Sequence, residues 1–203
     1  MYTTIGKEAS FELIEKKSRF IAHAHPISTE QEALDVLDGI RHEHAQARHN
    51  VYAYRLQGGR TRYSDDGEPA QTAGMPTLEV LVHAEVFDAI IVTTRYFGGV
   101  LLGTGGLVRA YTQAAQGALE QAGIVVIDEC RDVTVSVGYA LFESVSRLVE
   151  RSGMSIISTD FSDVVTIVIR AKEALVPDLV TALTELSAGR ASIELSDILF
   201  AAL

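Results

Sequence analysis

Cysteine, proline and basic charge are all scarce in this 203-residue chain, and each shortage excludes something. A single cysteine, Cys130, leaves no intrachain disulfide framework and no cysteine-rich zinc site. Only four prolines and no low-complexity run set the chain apart from disordered proteins. No stretch approaches the roughly 20 apolar residues that span a bilayer. Residues 1–17 alternate polar and apolar side chains, carry Lys7, Lys16 and Lys17, and precede no apolar signal-peptide core. The expectation is a soluble cytoplasmic protein without a membrane partner. The formal net charge of −10 disfavours indiscriminate polyanion binding. A covalent hydrolase is poorly supported, because no Gly-x-Ser-x-Gly elbow occurs. Cys130 also sits in Asp128-Glu129-Cys130-Arg131, where neighbouring carboxylates oppose thiolate formation.

What is present is an ordinary globular composition, 47% apolar and 22% charged, enough for one large domain or two small ones. The charge is uneven. Between Arg41 and Arg62 five arginines and three histidines face one acid, Glu43. Residues 89–119 hold Arg95 and Arg109 and no acid. An acidic chain with a local basic face is therefore open.

Residues 11–27 read as two short strands. A helix follows, capped by Thr29, with Ala33, Leu34, Leu37 and Ile40 at helical spacing. In residues 50–56, Val51, Ala53 and Arg55 alternate against Tyr52, Tyr54 and Leu56, as in a strand. Residues 57–75 read as a long loop, and Pro76 suits a first helical turn. The apolar run Ala89-Ile90-Ile91-Val92 marks a strand covered on both faces. The clearest helix puts Leu107, Tyr111, Ala114, Ala115, Ala118 and Ala122 on one face, closed by Gly123. From about residue 130 the pattern becomes β-α-β-β-α-β, the ferredoxin-like order. The expected class is α+β, with domains at 1–130 and 131–203.

The strongest local signal runs from Arg95-Tyr96-Phe97 through Gly98, Gly99, Gly103, Thr104, Gly105 and Gly106 to Arg109. Glycines let backbone approach a ligand closely, and the following helix start offers free N–H groups to an anion. Arg109 lies about 200° from Leu107 and Tyr111 around the helix, off its apolar face. The alternative is a tight strand-to-helix connection packed on neighbouring backbone. It is not a Walker loop, since no Lys-Ser/Thr follows the glycines.

A second constellation holds three carboxylates in four residues, Asp65, Asp66 and Glu68. They could hold a divalent cation or do acid-base work. Asp-Asp-Gly is also ordinary turn chemistry, with a salt bridge to Arg62 or Arg95 as the structural alternative. His23 and His25 share one strand face, and His42, His44 and His49 cluster near a helix end. With no carboxylate at matching spacing, these favour surface or helix-end roles over metal. No cofactor is expected.

Four ordered blocks carry a resemblance: Lys17-Ser18-Arg19-Phe20-Ile21-Ala22; His49-Asn50-Val51-Tyr52-Ala53-Tyr54-Arg55; Asp65-Asp66-Gly67-Glu68-Pro69 with Thr72-Ala73-Gly74; and the glycine-rich segment from Thr94 to Tyr111. Together they resemble the YigZ/IMPACT family along nearly the whole chain. Gln71 departs from it, standing where the family usually has glycine, which leaves the backbone conformation at that position open. The resemblance implies a ribosomal protein S5 domain 2-like N-terminal domain and a ferredoxin-like second domain, similar to domains IV and V of elongation factor G. It also implies association with RNA or the ribosome, with translational regulation as the broader role. On that reading Arg48, His49, Arg62, Arg95 and Arg109 would contact phosphates, and Tyr52, Tyr54 and Tyr96 would stack on bases. All would line a single positive cleft. Two other readings stand beside it: a phosphorylated-metabolite or nucleotide site at residues 98–106, and a protein–protein adaptor.

Overall fold

The computed structural model describes residues 1–202, which divide into two compact units, Tyr2–Val125 and the residues from Val126 onward. The first unit contains β1 (Tyr2–Ile5), β2 (Ala9–Glu15), β3 (Ser18–Pro26), α1 (Glu30–Glu43), β4 (His49–Arg55), β5 (Thr61–Ser64), α2 (Gly74–His83), β6 (Ala89–Tyr96) and α3 (Thr104–Ala122). Five of its strands form an antiparallel-paired sheet in the order β2-β3-β6-β4-β5. β6 lies at the centre, so its two faces need two separate covers.

Strand periodicity of two explains how they are supplied. Ala89 and Ile91 point into a core with Phe20, Val51, Leu81, Leu107, Tyr111 and Ala114, which belongs to α2 and α3. Ile90 and Val92 point the other way, into a core with Leu37, Ile40 and Tyr54 under α1. The apolar run in β6 is therefore sandwiched between helices, as its composition predicts. α1 begins as expected at Thr29, whose side chain accepts from the Glu32 N–H at 3.2 Å. α3 ends at Gly123 with φ 69°, in the left-handed region glycine favours.

The second unit contains β7 (Ile124–Val137, its first residues still in the first unit), α4 (Tyr139–Arg151), β8 (Ser155–Phe161), β9 (Val165–Lys172), α5 (Val176–Leu186), β10 (Ser192–Leu195) and β11 (Leu199–Ala202). Its strands run β10-β7-β9-β8, all antiparallel to their neighbours. That is the ferredoxin-like arrangement. Val133, Val135, Ile167 and Ile169 form its core with Val145 and Val149 of α4 and Leu179 and Leu183 of α5.

Four elements differ from the sequence reading. β1 is not signalled by the sequence pattern; it is a sheet neighbour of β7, and its Thr3 carbonyl accepts from the Phe87 N–H at 2.9 Å. β5 occupies part of the segment expected as loop, and as an exposed edge strand it has no buried face to show a period. β7 is one strand of 14 residues that begins at Ile124, ahead of the change of pattern at about residue 130. The last strand is broken in two, because Ser196 turns to Asp132: its N–H donates to the Asp132 carbonyl and its Oγ accepts from the Asp132 N–H.

Candidate functional site

The site begins with a charge placed inside the first unit. Arg95, near the end of β6, points to the α3 side and is 7% exposed. Its Nη1 donates to both carboxylate oxygens of Glu68, at 2.7 and 2.9 Å. The Tyr111 hydroxyl, from the buried face of α3, donates to Glu68 Oε1 at 2.8 Å. Burial, then the Glu68 carboxylate, holds the Tyr111 phenol well above its ordinary pKa, so it stays a donor. Phe20 lies under the guanidinium, 5.4 Å from ring centroid to Cζ, and Phe97 at 5.6 Å. The Arg95 Nε has no partner among the described residues and is buried.

The acidic loop is built from backbone contacts. Asp65 accepts from the N–H groups of Gln71 (2.8 Å), Ala73 (3.0 Å) and Gly74 (2.8 Å), and so caps α2, whose own flanking residue Ala73 cannot. Asp66 accepts from the Asn50 N–H at 2.6 Å, and its carbonyl accepts from His49 Nδ1 at 2.8 Å. A carbonyl can only accept, so Nδ1 carries the proton in this bond. Gln71 has φ 63°, a left-handed backbone that glycine would adopt without strain.

Above this floor the glycine-rich segment closes a cavity of about 440 Å³, lined by Arg48, His49, Glu68, Arg95, Phe97 and Thr104 together with Pro69 and three leucines. Gly98 fixes the near end of the loop. A Cβ there would run into the Lys17 carbonyl carbon, and its N–H donates to Ser18 Oγ at 3.2 Å. At the far end α3 starts from Gly103, φ 75°, with no side-chain cap among the described residues and no acid in its first turn. The partial positive charge of that helix end is uncompensated. Arg109 adds to it, its Nη1 lying 3.8 Å from where a Gly105 Cβ would be.

Comparison with known proteins gives a consistent assignment. Residues 16–119 match the family model of the Impact N-terminal domain, and residues 135–190 match a domain of unknown function, DUF1949. The IMPACT family member YvyE of Bacillus subtilis is 33% identical over 201 residues, spanning 98% of this chain and 93% of that one. The chain belongs to the IMPACT family. An IMPACT family member of Haemophilus influenzae is 35% identical, covering 90% and 91% of the two chains. A crystal structure of a hypothetical protein superposes with a TM-score of 0.62 at 30% identity, covering 95% of each chain.

In this family member the nominated residues do not gather into one cleft. Arg48, His49, Arg95, Gly103 and Thr104 line the cavity. Gly106 and Arg109 lie on its other flank, in a smaller hollow of about 130 Å³ with Glu15 and Lys16. Arg62 pairs with Glu30, Nε to Oε1 3.1 Å, on the edge strand β5. It joins the α1 side because it stands opposite Tyr54 in the ladder. Tyr54 is buried under α1, its hydroxyl donating to Glu30 at 2.8 Å and its pKa pushed up to about 12 by burial and then by Glu30. Tyr52 stacks on it, ring centroids 6.4 Å apart. Tyr96 also faces the α1 side, its hydroxyl 3.0 Å from His44 Nδ1. None of the three tyrosines lines the cavity. Gly98, Gly99 and Gly105 shape the loop and the first turn of α3.

Of the acidic loop's two salt-bridge alternatives, Arg95 is the one realised, through Glu68; Asp66 reaches Arg41 at 3.4 Å. The sequence reading names Phe97 in its strongest signal but nominates neither it, 53% exposed at the rim, nor Lys16 as a contact. Strand parity could have found Phe97: it continues the odd-numbered face of β6 that carries Arg95.

Proposed function

We propose that this IMPACT family member is a cytoplasmic binding protein that engages RNA, free or in the ribosome, through the glycine-rich face of its first unit. The observation that carries the reading is the uncapped start of α3 with Arg48 and Arg109 on its two flanks and Glu68, the one acid lining the cavity, already tied to Arg95. An anion is the natural occupant of such a positive concavity. The exposed ring of Phe97 beside it is suited to stack on a base, the usual companion of backbone contacts in single-strand recognition. The net charge of −10 keeps the rest of the surface from competing for the strand.

The test is RNA binding by the full chain as a function of salt, with Arg48→Ala and Arg109→Ala combined. The expected outcome is affinity that falls with salt and drops about tenfold or more in the double variant. Equal binding by wild type and double variant sinks the proposal. Arg95 is a poor probe, since its loss disturbs the floor.

The 440 Å³ volume favours a second reading, a phosphorylated metabolite or nucleotide, because small-molecule pockets fall at about 300–1,000 Å³. A nucleotide-specific thermal shift without RNA binding would select it.

A further inference from the structure

Two hollows, not one, flank the first turn of α3, and Leu102 lines both. On one side stand Arg48 and the Arg95–Glu68 floor; on the other stand Lys16 and Arg109, with Glu15 at the same rim. Each side has a net positive charge once the Arg95–Glu68 pair is taken as neutral. Between them lies the helix start, whose first N–H groups have no side-chain cap among the described residues.

We propose that the site holds two phosphates of a single nucleic-acid strand, one on each side of Leu102, with the strand crossing the first turn of α3. This rests on the RNA reading above and sharpens it to a segment of backbone rather than one phosphate group.

Three observations carry it. Arg109 sits by the positive end of its own helix, and in the hollow that it lines the two cations, Lys16 and Arg109, face a single acid, Glu15. The Lys16-Lys17 turn, with φ 45° and 67°, packs against the glycine loop where a Cβ at Gly98 would meet Lys17, and Lys16 lines the second hollow. The floor of the first hollow contains a nine-tenths-buried guanidinium that is tied to Glu68 through Nη1 and whose Nε has no hydrogen-bond partner among the described residues. A single phosphate satisfies one side and leaves the other uncompensated. A strand satisfies both.

The probes are uridine 5′-monophosphate and the 5′-phosphorylated trinucleotide of uridine, titrated calorimetrically into the full chain at several salt concentrations. Wild type is compared with Arg48→Gln and with the pair Lys16→Gln and Arg109→Gln, each checked for an unchanged melting profile. The trinucleotide is expected to bind about tenfold tighter than the monophosphate. Each variant is expected to lower the trinucleotide's salt slope by about 0.7 for each phosphate that the protein no longer neutralises. An unchanged slope in the Lys16/Arg109 variant, or equal affinity for the two probes, overturns the two-phosphate inference while leaving RNA binding intact. Failure of both probes together with failure of longer RNA overturns the RNA reading as well.

Discussion

Glu68 and Arg95 share two short hydrogen bonds inside the first unit, and Tyr111 supplies a third to the same carboxylate. A buried pair adds little net stability over an apolar one, but removing one partner strands the other charge. Glu68→Gln is therefore expected to destabilise the chain by about 3–5 kcal/mol, read as a lowered urea midpoint. A loss under about 1 kcal/mol would mean that water reaches Arg95 freely. Gln71 makes the opposite case. Its left-handed φ of 63° costs an L-residue about 1–2 kcal/mol, partly offset by the extra chain entropy glycine loses on folding. Gln71→Gly should raise stability by about 0.5–1 kcal/mol. A decrease would show that the Gln71 side chain, not its backbone, matters there.

Among the elements, α1 and the strands beneath it hold a proton-sensitive junction. His23 on β3 lies 5.6 Å, ring to ring, from His44 at the end of α1, and the Nε2 of each is buried with no hydrogen-bond partner among the described residues. His25, its own ring 6.5 Å from His23, Glu43 and Tyr96 face the same junction, and Glu8 lies 3.5 Å from His25. Burial first, then the neighbouring His44, lowers the His23 pKa below its ordinary 6.5; Glu43 opposes this. A base whose pKa falls on folding stabilises the fold while neutral and loses that contribution as pH drops below the unfolded value. Thermal midpoints should fall between about pH 7 and pH 5, and His23→Leu should flatten that dependence. The same slope in the variant would place the titrating group elsewhere. Strand parity, readable in the sequence, already separated the site's residues. Odd positions of β4 and β6 carry His49 and Arg95 to α3, and even positions carry Tyr52, Tyr54 and Tyr96 to α1. Choosing tyrosines for their chemistry without their parity grouped them with residues of the opposite face. β5 and β1 escaped notice for a different reason: short edge strands bury no regular face.

Across the whole chain the apolar residues form separate cores, with no residue shared between the second unit's core and the two of the first. Ile91→Ala and Ile167→Ala each remove a fully buried side chain and should cost about 2–5 kcal/mol in their own unit. Hydrogen exchange should report faster amides around β6 for the first and around β9 for the second; uniform acceleration in both would mean one cooperative body. No helix among the described residues is long and apolar enough to cross a membrane. The mixed α and β character of the first domain, the ferredoxin-like order of the second, the doubly covered β6 and the glycine-bounded α3 were determined by local pattern, because periodicity and backbone freedom are properties of neighbouring residues. Which arginine would be consumed by a carboxylate, and which would remain at the helix start, was decided only by tertiary structure. Glu68 and Arg95 are 27 residues apart, and Arg62 and Glu30 are 32 apart, so no local rule pairs them. Charge compensation acts through space, and folding chose the partners.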